Sequence, residues 1–201
     1  MVYRIPAVNL VGRGCLAQLK DEIGTLGCKK ALVVSDKFLT ENGVVEKVTK
    51  VLDQVGIEHT LYNDVKQNPS VANVEGGLEV LKKENCDFIV SIGGGSPQDC
   101  GKAISVLATN GGKITDYEGV NKSQKKCLPI VAIATTAGTS AEVTINYVIT
   151  DEETHIKMIM VDRNTLASIT VNDPELMLSK PAGLTAATGM DALTHAMEAV
   201  V

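Results

Sequence analysis

The 201-residue chain is 44% hydrophobic but only 3% aromatic, contains no tryptophan, and carries a formal net charge of −5. An acidic chain without basic, aromatic-rich segments is not expected to bind nucleic acid. A core of small aliphatic side chains is typical of a parallel sheet covered on both faces. No apolar run approaches the roughly 18 residues of a membrane helix, and no signal peptide is evident, so we expect no membrane partner. The five cysteines form no C-x-x-C pair, which favours a reduced, cytoplasmic protein.

Apolar runs and helical patterns alternate along the chain. In order, they predict strand 2–11, helix 14–26, strand 30–35, helix 44–55, strand 58–62, a helix ending near 85, strand 87–92, helix 97–108, strand 128–134, a hairpin of 142–150 and 155–161, and strand 167–171. This alternation predicts an α/β domain with a mainly parallel sheet, flanking helices and a β-hairpin. The pattern turns helical after Pro181, so we expect domains at 1–180 and 181–201. The second is expected to be the first helix of an all-helical domain, truncated at Val201.

Three consecutive glycines end the apolar run 89–92 and are followed by Ser96, Pro97 and Asp99. Glycine lets the backbone turn sharply and leaves no Cβ between the main chain and a ligand. Pro97 suits the first helical position, and Ser96 with Asp99 has the spacing of a capping box. The segment therefore predicts a helix N-terminus that binds phosphate. Because it matches neither the G-x-G-x-x-G fingerprint nor a P-loop, a turn that only packs the helix on the sheet remains the alternative.

Two other predicted strands end in polar residues at the same edge of the sheet. Asp36 follows strand 30–35, where a carboxylate can accept both hydroxyls of an adenosine ribose and would repel a 2′-phosphate. It is equally suited to be a helix N-cap. The segment 135–142 is a turn rich in threonine and small residues after strand 128–134; it can line a pyrophosphate or nicotinamide pocket, or bond only to its own backbone.

Asp191 and His195 stand four residues apart and therefore share one face of the predicted last helix. Both can ligate a divalent metal, although an Asp–His helix pair is the simpler alternative. A catalytic site needs about three or four protein ligands. The other two histidines, His59 and His155, are poorly placed to complete such a site, so the chain is expected to hold only part of one.

Three ordered segments together carry a family resemblance: GGGSPQD at 93–99 with Lys102, TTAGTSAEVT at 135–144, and ATGMDALTHA at 187–196. They resemble the iron-containing (group III) alcohol dehydrogenases, particularly the 1,3-propanediol and lactaldehyde reductase type. The resemblance implies a Rossmann-like NAD domain followed by a helical metal-binding domain. The implied cofactor-binding residues are Asp36, Asn68, Gly94, Gly95, Ser96, Thr135, Thr136, Asn146, Lys157 and Leu176, and the implied metal ligands are Asp191 and His195.

The activity implied by this resemblance is reversible oxidation of a primary alcohol or diol by NAD, assisted by a divalent metal, iron(II) or zinc. The expected partners are a small alcohol or aldehyde and further copies of the chain in a homo-oligomer. Two alternatives remain: a non-redox relative that resembles dehydroquinate synthase, and a nucleotide-binding fragment without activity. The isolated chain is expected to be poor in metal and inactive, because it supplies only two ligands.

Overall fold

A computed structural model describes residues 4–200; the first two residues of predicted strand 2–11 lie outside this range. The strands described are β1 (Val8–Val11), β2 (Lys30–Val34), β3 (Glu58–Tyr62), β4 (Phe88–Gly93), β5 (Gly119–Val120), β6 (Ile130–Ala134), β7 (Asn146–Asp151), β8 (Ile156–Val161) and β9 (Ile169–Asn172). The α-helices are α1 (Leu19–Ile23), α2 (Lys37–Glu41), α3 (Val44–Gln54), α4 (Val71–Lys83), α5 (Gly95–Asn110) and α6 (Ala182–Glu198).

Six strands form one sheet in the order β1-β9-β6-β4-β2-β3, and every pair is parallel. The predicted α/β fold with a mainly parallel sheet is therefore confirmed. After β3, helix α4 returns the chain to the other side of β2, where β4 pairs with β2. The strand order thus reverses between β2 and β4. In open α/β sheets, the crevice outside the carboxyl ends of two such strands is where ligands bind.

The sheet lies between two hydrophobic clusters, as its almost unbroken aliphatic strands require. Along β4, Phe88, Val90 and Ile92 pack on one face with side chains from α1 and α3. Ile89 points to the other face and packs with side chains from α4, α5 and the small second sheet. All six residues of β4 are buried, so this strand is the rigid centre on which the glycine turn is built.

The predicted hairpin is present as the antiparallel pair β7–β8. With the two-residue strand β5 it forms a separate three-stranded sheet, which lies beside the main sheet and packs on α5. A backbone bridge between Thr150 and Ser70 also joins this hairpin to the loop before α4. The hairpin is therefore held from two sides.

Several predicted boundaries were wrong. Strand β1 begins only at Val8, after Pro6, which has no backbone N–H to donate to a sheet. Predicted helix 14–26 is three short pieces, two 3-10 turns around the five residues of α1. Its last piece begins at Gly24, and 3-10 turns are common at such helix ends. The short helix α2 was missed altogether.

Helix α6 confirms that the chain is helical after Pro181, and none of its residues is buried. Its exposed apolar side chains are Leu184, Met190, Leu193 and Met197. Within residues 4–200, no helix is both long enough and apolar enough to cross a membrane.

Candidate nucleotide-binding site

A cleft of about 430 Å³ lies at the carboxyl ends of β2, β4 and β6, at the reversal of strand order. The register pairs Val34 with Ser91 and Gly93 with Ala134, so the residues after these strands meet at one edge. Six of the sequence-predicted residues line this single cleft: Asp36, Gly94, Gly95, Ser96, Thr135 and Thr136. The topology therefore brings together turns that are a hundred residues apart in sequence.

The glycine turn leads directly into α5, which begins at Gly95 with Gly94 as its N-cap. The predicted capping box is wrong, because the helix starts two residues earlier than expected and Gly94 has no side chain to cap it. The first N–H groups of a helix have no intrahelical partner. A sixteen-residue helix therefore presents free N–H donors and the positive end of its dipole to the cleft, which suits a phosphate.

Close packing explains the glycines of this turn. A Cβ on Gly93 would lie 2.4 Å from Pro97 Cγ, and one on Gly94 would lie 2.9 Å from Thr136 Oγ1. Beneath the turn, the Gln98 amide donates to the carbonyl of Ile133 at 3.0 Å, and its oxygen accepts from the Ser91 hydroxyl. The turn is therefore fixed to β4 and β6 before any ligand arrives, so binding has little backbone to order.

Asp36 performs the alternative role that the sequence allowed and also lines the cleft. Its Oδ1 accepts from the N–H of Leu39 at 2.8 Å, which caps α2. A carboxylate offers about four lone-pair sites on two oxygens, and the cap uses one of them. Capping and contact with a ribose hydroxyl are therefore compatible.

Two charged side chains of α5 face the hairpin. The ammonium of Lys102, which is only 1% exposed, donates to the carbonyls of Ala141, Thr144 and Asn146 at 2.7, 2.8 and 2.7 Å. The carboxylate of Asp99 accepts from the N–H of Val148 at 3.1 Å. Helix α5 thus binds the segment that connects the threonine-rich turn to β7.

Burial disfavours the charged form of both side chains. It raises the pKa of Asp99 to about 6, partly opposed by the positive charge of Lys102. It lowers the pKa of Lys102 to about 8, opposed by the carboxylates of Asp99 and Glu142. Both groups are therefore ionised at pH 7, at a cost in stability.

The cost of ionising Asp99 is expected to show in how the free energy of unfolding of an Asp99→Asn variant, compared with wild type, depends on pH. The folded protein keeps a proton on Asp99 up to about pH 6, whereas the unfolded chain loses it near 3.8, so the wild type loses stability as pH rises through this window. Between pH 4 and 7 the free energy of unfolding of the variant should gain about 2 kcal/mol relative to wild type. Urea unfolding at both pH values measures this, and a pH-independent difference would contradict the buried ionisation.

None of the four remaining predicted cofactor residues, Asn68, Asn146, Lys157 and Leu176, is among the residues that line the cleft. Asn68 and Lys157 meet each other, with Lys157 Nζ donating to Asn68 Oδ1 at 2.8 Å. Asn146 lies at the other end of β7, because it pairs with Val161 while Lys157 pairs with Thr150. Leu176 is 2% exposed and belongs to the core under β1 and β9.

The two residues of the predicted metal-binding pair lie on the same face of α6, with Asp191 Oδ1 3.5 Å from His195 Nε2. Both side chains are about half exposed, and an oxygen and a nitrogen donor at this separation suit a divalent ion. Among residues 4–200, no group of three or more His, Cys, Asp or Glu side chains is arranged to hold a metal.

Comparison with known proteins agrees with this geometry. The model of a family described as iron-containing alcohol dehydrogenase matches residues 6–174. The chain belongs to the iron-containing alcohol dehydrogenase family. Alcohol dehydrogenase 4 of Schizosaccharomyces pombe is 54% identical over 199 residues, 99% of this chain and 47% of that protein. NAD-dependent methanol dehydrogenase of Bacillus methanolicus is 46% identical over 199 residues, 99% of this chain and 52% of that protein.

Comparison with solved structures shows that the chain also has the fold of this family. A crystal structure of 1,3-propanediol oxidoreductase superposes with a TM-score of 0.95 at 46% identity, covering 98% of this chain and 51% of that one. The family resemblance and the Rossmann-like fold expected from it are therefore confirmed. The chain spans about half the length of the relatives it matches.

Sequence reasoning missed several residues that line the cleft of this alcohol dehydrogenase family member. Lys66 and Gln67 follow β3, Lys180 precedes α6, and Leu184 lies in the first turn of α6. Burial lowers the pKa of Lys180. The signal for Lys66 and Gln67 was their position after a strand at the same edge of the sheet. Lys180 and Leu184 follow no strand, and only the docking of α6 places them here.

Proposed function

We propose that this chain binds NAD in the cleft between β2 and β4. The observation that carries the proposal is that the N-terminus of α5 and the Asp36 carboxylate line the same cleft. The pyrophosphate would lie on the N–H groups of Gly95 and Ser96, with Asp36 near the adenosine ribose. Thr135 and Thr136 would then line the nicotinamide side.

The supporting charges come from residues outside the predicted set. Lys66 and Lys180 line the cleft beside the glycine turn, so two cations accompany the helix dipole. The likeness to an NAD-dependent methanol dehydrogenase supports the same cofactor. Asn68 and Lys157 lie beside this region, because Asn68 follows Gln67 of the cleft lining.

As part of an alcohol dehydrogenase, the chain would position NAD for reversible hydride transfer with a primary alcohol or diol. Asp191 and His195 would supply two ligands to a divalent ion, either iron(II) or zinc, since this donor set suits both. Such an ion, when bound, stabilises the negative charge on a substrate oxygen. The residues of the cleft orient the cofactor, which performs the redox step.

Calorimetric titration of the 201-residue chain with NAD, ADP-ribose and NADP tests the nucleotide role directly. We expect NAD and ADP-ribose to bind and NADP to bind more weakly. No heat with any of the three nucleotides would overturn the proposal. An assay of NADH formation from 1,3-propanediol then separates an active chain from one that only binds nucleotide.

An Asp36→Ser variant isolates the ribose contact from the helix cap. Serine is a good N-cap, so α2 should persist while the carboxylate is lost. We expect NAD affinity to fall about tenfold or more, since a hydrogen bond to a charged group contributes roughly 1.5 to 3 kcal/mol. The difference in affinity between NAD and NADP should become smaller, because the carboxylate that repels the 2′-phosphate is gone. Equal NAD affinity in wild type and variant would show that Asp36 serves only as a cap.

A further inference from the structure

We propose that Gly138 is a positioning residue that sets how α6 docks on the threonine-rich turn and thereby where the Asp191 carboxylate lies. A Cβ built on Gly138 would lie 2.8 Å from Asp191 Oδ2, 3.1 Å from the carbonyl oxygen of Thr188 and 3.4 Å from Thr188 Cβ. Real Cβ atoms essentially never lie within 3.0 Å of another heavy atom, so a side chain here turns the Asp191 carboxylate, and it also crowds the backbone carbonyl of Thr188, which can give way only if α6 shifts. The inference rests on the proposed function for the metal role of Asp191.

The exposure of α6 shows that this contact dominates its docking. Thr188, Asp191 and Ala192 are half-buried, whereas every other residue from Ala182 to Glu198 is exposed. Two of these three residues are the ones that approach Gly138. A helix with so little buried surface is held weakly, so one added methyl group at the contact has a large effect on it.

The two oxygens of Asp191 have different neighbours. Oδ1 faces His195 Nε2 at 3.5 Å, while Oδ2 lies over Gly138. Pushing Oδ2 away from the turn rotates the carboxylate and moves Oδ1 relative to His195. The absence of a side chain at position 138 therefore sets the geometry of the proposed metal pair. It also fixes the distance from this pair to Thr135 and Thr136, which begin the same turn.

Hydrogen–deuterium exchange of the 201-residue chain tests this without NAD or metal. In Gly138→Ala, amides of 182–198 are expected to exchange on the order of tenfold faster than in wild type, the effect of losing about 1.4 kcal/mol of docking energy. Gly189→Ala is the matched control on α6, because nothing lies within 4 Å of its Cβ position. It should leave exchange unchanged or slow it, since alanine favours a helix. Unchanged exchange over 182–198 in Gly138→Ala would overturn the inference.

A double-mutant cycle separates the contact with Asp191 from a general distortion of the turn. If the added methyl group acts through Oδ2, Gly138→Ala should accelerate exchange of 182–198 much less in an Asp191→Ala background. An equally large acceleration in both backgrounds would overturn the role assigned to Asp191. Because neither measurement uses a nucleotide, failure of the chain to bind NAD would reject the proposed function separately.

Discussion

A Gly95→Val variant is expected to lose at least about 100-fold in NAD affinity, since two charge-assisted hydrogen bonds from helix N–H groups contribute roughly 3 kcal/mol or more. Gly95 is the first residue of α5 and lines the cleft. Its Cβ position lies 3.3 Å from Thr139 Cγ2, so a branched side chain fills the space toward Thr139 and the space above the N–H groups together. The variant should remain folded, because the side chain it contacts on one side, Thr139, is exposed and can turn away, and the other side is the open cleft.

The measurement is a calorimetric NAD titration beside thermal unfolding. Gly24→Val is the matched control, because Gly24 is also in a helical turn but has nothing within 4 Å of its Cβ position. It should bind NAD as the wild type does. Wild-type NAD affinity in a folded Gly95→Val protein would contradict phosphate binding at this turn. If the Gly95→Val protein unfolds, Gly95→Ala provides the test instead. It adds one methyl group at a distance that a small shift of Thr139 relieves, and it should bind NAD several-fold more weakly than the wild type does.

The sequence predicted the architecture because the signals for it are local. The central strands consist mainly of aliphatic residues, as in Ile130–Ala134, and this composition is typical of a strand buried on both faces. Alternation of such runs with helical patterns implies a parallel sheet, and the carboxyl ends of its strands then lie at one edge. The grouping of Asp36, the glycine turn and the threonine-rich turn follows from topology alone.

Features that depend on contacts across the fold were not predictable in this way. The local sequence favoured a helix cap at Ser96, but α5 begins at Gly95. This earlier start depends on the packing of Pro97 and Gln98 under the turn. Lys102 bonds to carbonyls 39 to 44 residues away, and no periodicity indicates such a partner. The contact of Gly138 with α6 likewise joins segments about fifty residues apart.

The second large effect is expected from replacing Lys102. A Lys102→Met variant retains a long apolar side chain but leaves the carbonyls of Ala141, Thr144 and Asn146 without their donor. Leaving these carbonyls without their donor costs more than is gained by removing the buried charge, so the free energy of unfolding should fall by about 3 kcal/mol at pH 7. NAD affinity should fall with it, because the freed segment includes the end of the threonine-rich turn at 135–142.

Lys47→Met is the matched control, since it removes the same charge from an exposed position on α3. It should change neither stability nor NAD affinity measurably.

The pH dependence distinguishes the buried ammonium from a purely steric role of the side chain. In the wild type, Lys102 releases its proton near pH 8 when folded but near 10.5 when unfolded, so stability rises with pH across this window. The Met variant has no such group, and the stability gap between the two proteins should therefore widen by about 2 to 3 kcal/mol between pH 7 and 10. Urea unfolding at these two values measures the gap. A constant gap would mean that the folded protein holds the Lys102 proton as tightly as the unfolded chain does, and that the carbonyl contacts of Lys102 fully offset the burial of its charge.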